Sequence, residues 1–217
     1  MDTKDFVREL EQSNERLLAV LRCPLAIQLS EKMNVKVLLK MALKNEMEAT
    51  ELAAFWLPTT AELDVKLGFA RQAGDEARHY RLIEDRLREL GEDMTGFQPF
   101  AAGRSPLFQY LSALSGTAER IAAGQFTREA IALIKNEQFI EFCRGAGDAA
   151  TARLYEEVIQ PDETFHHRLG KTLLEKYALT EEAQEKARRA AEKTLELAEE
   201  LQEIALAKMG VHHAPGC

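Results

Sequence analysis

Breakers of regular structure are confined to a few points along this chain, and between them apolar residues return every three or four positions. Only six Pro and twelve Gly occur in 217 residues. Phe6, Val7, Leu10, Asn14, Leu17, Leu18 and Leu21 mark one face of a helix over about 4–22, and Cys23-Pro24 interrupts it. A second helix is expected from about Glu31 to Trp56, ended by Pro58. Thr59-Thr60-Ala61-Glu62 has the form of a capping box, opening a third helix to about Leu90 with Gly91 as its C-terminal cap. Residues 91–105 read as the long loop, followed by a short helical piece over 106–114. A fourth long helix runs from about Thr117 to Arg144. After the break Gly145-Ala146-Gly147-Asp148, with Asp148 as N-cap, a fifth spans 149–177 and a last one 180–209. The tail GVHHAPGC is expected to fray.

No segment shows the strict alternation of a strand. The expectation is one all-α domain over 1–217. Two helical hairpins, 31–90 and 117–177, form its core, one long crossover joins them, and a helix flanks each end. This is the layout of a four-helix bundle with a single crossover. In the last helix, Ala183, Ala187, Ala190, Thr194, Ala198, Leu201 and Ala205 make a small-residue face suited to the bundle or to a second subunit, so a homodimer is one option.

Charge narrows the function classes. With 28 basic against 36 acidic residues the net charge is -8, which argues against general binding of nucleic acid phosphates. No apolar run reaches the roughly 18–20 residues that cross a bilayer. The charged start MDTKDFVREL has no apolar signal core, so a cytoplasmic location is expected. Cys23, Cys143 and Cys217 are scattered and form neither a disulfide framework nor a metal knuckle. Cys143 reads as a small core residue.

Two of the five histidines follow a Glu by three residues: Glu76-Ala77-Arg78-His79 and Glu163-Thr164-Phe165-His166. That spacing places both side chains on one helix face, where they can bind one ion. Singly, such a pair is most often a solvated surface pair. Here both pairs lie in the second helix of a hairpin, about 16 residues past its start, and each Glu is preceded by an Asp, Asp75 and Asp162.

If the pairs bind metal, the first helix of each hairpin should supply a Glu at matching height. In the second hairpin that height is near 128–130, where Glu129 stands on the stripe Glu129, Leu133, Asn136, Ile140. Glu137 is the alternative, two turns nearer the loop. In the first hairpin strict symmetry points to Ala42. Glu46 is the nearest acid, needing an offset of roughly 3 Å along the helix, with Glu48 in reserve. Four carboxylates carry -4, which two divalent ions would neutralise; without ions, burying them would be very costly. Carboxylate and imidazole donors suit iron or manganese. Asp75 and Asp162 are placed to accept from a ligand His or a nearby Arg.

Glu46, Glu76, His79, Glu129, Glu163 and His166 together resemble the ligand set of the ferritin-like superfamily of carboxylate-bridged di-iron proteins. The resemblance covers about 31–177. REAIALIKNEQFIEFCRGAGD and QPDETFHHRLG look most similar to the branch containing tRNA-modifying di-iron monooxygenases and their uncharacterised relatives. It implies two metal ions, iron first and manganese second. It also implies an oxidoreductase that uses dioxygen to oxidise or hydroxylate a small organic substrate, with a reductase or other electron donor. The acidic balance speaks against tRNA itself as substrate. Three other readings remain open: a ferroxidase or iron-storage subunit with the same ligands, a metal-free helical interaction module, and a haem-oxygenase-type helical fold using other acids.

Tyr80, Tyr110 and Tyr155 could approach such a site. Trp56, Phe55, Phe126, Phe139, Phe142 and Phe165 read as core, and His167 as a flanking or exposed residue.

Overall fold

A computed structural model of the chain describes residues 1–22, 34–209 and Pro215. Among these there is no strand, and the helices fall into seven runs. They are α1 (Thr3–Leu21), α2 (Val35–Trp56), α3 (Leu63–Glu89), α4 (Pro106–Ser112), α5 (117–145), α6 (149–177) and α7 (Glu181–Met209). Among the described residues, no helix is long and apolar enough to cross a membrane.

The caps explain most of the boundaries. Asp2 accepts from the Lys4 amide at the start of α1, and Asn34 from the Val37 amide at the start of α2. The expected beginning of α2 at Glu31, the break at Cys23-Pro24, and the tail residues His212, His213 and Cys217 lie outside the described residues. Gly91 closes α3 at φ 82°, a left-handed conformation that a side chain resists. Asp148 caps α6 through the Thr151 amide at 3.0 Å.

One cap differs from the sequence reading. Thr59 and Thr60 do not box the start of α3. Their hydroxyls donate back to the Trp56 carbonyl, at 3.2 and 2.9 Å, and so close α2. Glu62 precedes α3 without a side-chain cap, because its carboxylate accepts from the Thr117 hydroxyl at 2.8 Å instead.

Hydrogen bonds across the fold set the direction of each long helix. Thr117 meets Glu62, and Arg120 donates to the Thr60 hydroxyl at 3.1 Å, so α3 and α5 start at the same end. At the opposite end Arg86, late in α3, pairs with Asp148, just past α5, at 2.8 Å. The helices α3 and α5 are therefore parallel, and α2 and α6 return between them. Parallel neighbours need a long connection, which 90–116 provides. Glu48 fixes that connection by accepting from the Ser105 amide and hydroxyl at 2.7 and 2.6 Å.

Two separate apolar clusters fill the space between the long helices. Leu52, Trp56, Phe69, Phe126 and Leu174 belong to the first. Leu39, Leu43, Ile83, Phe139, Tyr155 and Ile159 belong to the second. The terminal helices add to the first: Phe6, Val7 and Leu10 of α1, and Ala187, Ala190 and Ala191 of α7, are buried there. The small-residue face of α7 thus packs on the chain itself. Of the aromatic residues read as core, Phe55 stands 54% exposed and Phe165 is half-buried outside both clusters, with the Arg71 guanidinium over its ring.

Periodicity missed one feature. Ile121–Arg128 in α5 and Tyr155–Ile159 in α6 wind as π-helices. Such turns shift the helical register and recur at functional sites. The one in α5 lies tight against α6, where a Cβ on Gly170 would come within 2.7 Å of the Gln125 backbone. Gly170→Ala is therefore expected to destabilise the fold by about 3 kcal/mol, as overpacking against an unyielding backbone does. Gly74 is exposed in mid-helix with nothing near its Cβ position, so Gly74→Ala should gain about 0.5–1 kcal/mol. Urea midpoints of the two variants moving in the same direction would contradict this packing.

Candidate metal centre

Between the two apolar clusters lies a polar layer made by one or two residues from each long helix. Glu46 comes from α2, Glu76 and His79 from α3, Glu129 from α5, and Glu163 and His166 from α6. Each is at most 2% exposed. The structure brings all six sequence candidates together. Their ligand atoms form two groups, each with all atoms within 4.8 Å of one another: Glu46, Glu76, His79 and Glu163, and Glu76, Glu129, Glu163 and His166. Glu76 and Glu163 belong to both.

The alternative ligands Glu48 and Glu137 point elsewhere, as do the neighbouring acids Glu51 and Glu141. Glu48 is committed to Ser105, and Glu137 is exposed on the outer side of α5. Glu51 pairs with Arg104 and Glu141 with Arg144, both at the surface.

The two imidazoles are held alike. His79 Nδ1 faces the carboxylates, 3.2 Å from Glu76 and 3.4 Å from Glu46. His166 Nδ1 lies 3.3 Å from Glu163 and 3.6 Å from Glu76. Each outer nitrogen, Nε2, meets an Asp from the opposite hairpin: His79 meets Asp162 at 3.0 Å, and His166 meets Asp75 at 3.1 Å. The Asp residues are anchored in turn by Arg78 on Asp162 and Arg71 on Asp75. The carboxylate thus fixes the ring orientation and leaves Nδ1 as the inward donor atom. The sequence had placed these Asp residues beside an imidazole or an Arg; each takes both.

Charge in this layer is strongly perturbed. Burial first, and then the charge of Glu76, raises the Glu46 carboxyl from 4.5 to about 7. Burial, with Glu163 and Glu76 close by, pushes Glu129 well above the carboxylate range. Glu163 is raised as well, again chiefly by burial. Burial would lower His79, yet hydrogen bonds to Glu46 and Glu76 prevail and raise it to about 12. His166 is likewise lifted against burial by Asp75 and Glu163, to about 11. Glu76 alone falls, to about 2, because bonds and charge from His79 and His166 overcome its burial. Protons hold the layer together here by standing in for cations.

The donor set fits two ions. Glu46 Oε1, Glu76 Oε1 and Glu163 Oε1 are buried with no hydrogen-bond partner among the described residues. Unsatisfied carboxylate oxygens are costly in an interior and call for a cation. Thiolates are absent from the layer, since Cys143 lies in the apolar cluster with its thiol pushed up by burial.

Two further residues border the layer. Gln72 donates to Glu129 Oε1 at 2.6 Å. It stands four residues before Glu76 on one helix stripe, a spacing visible in the sequence. Tyr155 is fully buried, its hydroxyl without a partner among the described residues, and burial together with the charges of Glu46 and Glu163 raises it well above 10. His167 turns away and donates from Nδ1 to the Phe126 carbonyl at 2.7 Å, its ring stacked on that of Phe126.

The profile of a family described as "Protein of unknown function (DUF455)" matches residues 11–207. The chain belongs to the DUF455 family. No curated protein and no solved structure matches it. The DUF455 match spans both hairpins, so every residue of the polar layer lies within it.

Proposed function

We propose that the polar layer is a di-metal centre of the ferritin-like, carboxylate-bridged kind, set in a four-helix bundle with one crossover. In this reading it serves an oxidoreductase that uses dioxygen to oxidise or hydroxylate an organic substrate. The sharing of Glu76 and Glu163 between the two ligand groups carries the reading. Two sites with two carboxylates in common are what a bridged pair of ions requires.

Glu46 and His79 would complete one ion's ligands, and Glu129 and His166 the other's. Carboxylate and imidazole donors suit iron, with manganese as the alternative. Two ferrous ions would supply electrons for reducing dioxygen, and an external donor would restore them. The chain itself orients the ligands. Asp162 and Asp75 accept the Nε2 protons of the neutral imidazoles and hold Nδ1 inward. Gln72 holds Glu129 in place. The apolar clusters on either side keep bulk water out, which strengthens every charge interaction within.

The test is metal content per chain after anaerobic loading with Fe(II), followed by absorption spectra on adding dioxygen. About two irons and a spectral change that depends on dioxygen are expected. Iron at well below one per chain would overturn the proposal. Light scattering on the same sample separates an oxygenase from a storage subunit, which assembles into a large closed shell.

A further inference from the structure

Alongside the polar layer, in the groove where α1 crosses α5 and α6, lies a half-open cavity of about 420 Å³. That volume is within the range of small-molecule sites. None of the six layer residues lines it, but it flanks the stretches of α5 and α6 that carry three of them. Ala130 directly follows Glu129, Gln160 stands one turn before Glu163, and His167 follows His166. Phe126, Leu133 and Ile134 give it an apolar floor.

Most polar groups around this floor offer acceptors. Asn14 is 3% exposed, an unusual residue for the buried stripe of α1, and its amide nitrogen donates to the Thr127 hydroxyl at 2.8 Å. The Gln160 amide nitrogen donates to the Leu133 carbonyl at 3.1 Å. Each amide has used one of its two N–H donors internally, while Asn14 Oδ1 and Gln160 Oε1 are buried without a partner among the described residues. His167 gives its Nδ1 proton to a carbonyl, so in the neutral ring Nε2 carries the lone pair. At the rim stand four carboxylates, Glu11, Glu15, Glu137 and Glu156, against one lining cation, Arg22. Arg22 is held by Glu15, Lys171 by Glu11, and Arg144 by Glu156. Glu137 has no ion-pair partner among the described residues.

The cavity is thus apolar below, with hydrogen-bond acceptors and one uncompensated carboxylate, Glu137, above. A ligand that fits must bring donors and positive charge on an apolar body. We infer that the cavity binds an organic ammonium ion, a primary amine with an aromatic or aliphatic body. Its role as the substrate site of the di-metal centre rests on the function proposed above, whereas the binding itself does not.

The probes are 2-phenylethylamine and its anionic counterpart 3-phenylpropionate, titrated calorimetrically into the full chain loaded with Fe(II) under anaerobic conditions. The amine should bind at least tenfold more tightly than the carboxylate. Ala130→Phe, which fills the floor, should abolish the difference. Glu137→Gln, an exposed change that leaves the fold intact, should weaken the amine several-fold with iron content unchanged. Equal affinity for the two probes, no amine binding, or amine binding indifferent to Glu137→Gln would each overturn the inference. Iron at about two per chain without amine binding would leave the di-metal centre standing. Amine binding without iron would keep the cavity and remove only its role in catalysis.

Discussion

Alanine at Glu76 or Glu163 is expected to empty both metal positions, taking bound iron from about two per chain to near zero. Alanine at Glu46 or Glu129 is expected to leave about one. The difference follows from the two shared carboxylates: each contributes an oxygen to both ligand groups, whereas Glu46 and Glu129 each serve one. Alanine at Glu129 or Glu163 should have the opposite effect on the metal-free fold. Glu129 and Glu163 are raised by burial, so removing either relieves a desolvation cost, and the chelated variants should be at least as stable as the chelated parent. Loss of function with unchanged or raised stability is typical of a site that strains its scaffold. Paired measurements of iron content and thermal midpoint decide it. Equal iron losses for all four variants would sink the bridged assignment.

Acidity should move the stability of the metal-free and metal-loaded chains in opposite directions. In the metal-free chain Glu46 titrates near 7 rather than 4.5, so the folded state holds a proton that the unfolded state releases. Its contribution is complete below about 4.5 and is lost as pH rises through 7. Glu129 and Glu163 are shifted the same way. The contributions of His79 and His166 are complete below 6.5 and drain away as pH climbs toward about 12 and 11. Within the layer Glu76 runs the other way, and its window lies between about 2 and 4.5. Between pH 5 and 8 the metal-free protein should therefore lose on the order of 1 kcal/mol per pH unit for each proton held only by the folded state. Metal must displace these protons, so affinity rises over the same range and the stabilisation by metal grows. Scanning calorimetry at pH 5, 6.5 and 8, with chelator and with Fe(II), measures both trends. Parallel profiles would contradict the proton-for-metal exchange.

Much of this was legible in the residues because it is local. Helix ends follow from Gly91, Asp148 and the scarcity of breakers. The facing of Glu76 with His79, and of Glu163 with His166, follows from three-residue spacing. Glu129 required one further step, the equal depth of residues on either side of a hairpin turn; the same step pointed to Ala42 in the first hairpin, and Glu46 came only as the nearest acid. What stayed hidden depends on contacts between distant segments. Nothing near Ile121–Arg128 announces a π turn, because it is fixed by close packing against Gly170 of α6. Thr59 and Thr60 carry a cap signature but bond backwards, since Glu62 is drawn to Thr117. Glu48 stayed in reserve behind Glu46, and only Ser105 of the crossover, which claims it, removes it. The acceptor-rich cavity needs α1, α5 and α6 together, and no single segment describes it.

The crossed bonds between the hairpins bear on how ions are taken up. Asp75 sits beside Glu76 in sequence but steadies His166, and Asp162 sits beside Glu163 but steadies His79. Each ion's imidazole is therefore aligned by the helix that carries the other ion's imidazole. Under the proposed di-metal reading, filling one position would steady α3 against α6 and favour the second, so occupancy is expected to follow a sigmoidal isotherm with a Hill coefficient above one. On that reading the chain would spend little time half-filled, and a lone reactive iron would seldom be left waiting for its neighbour.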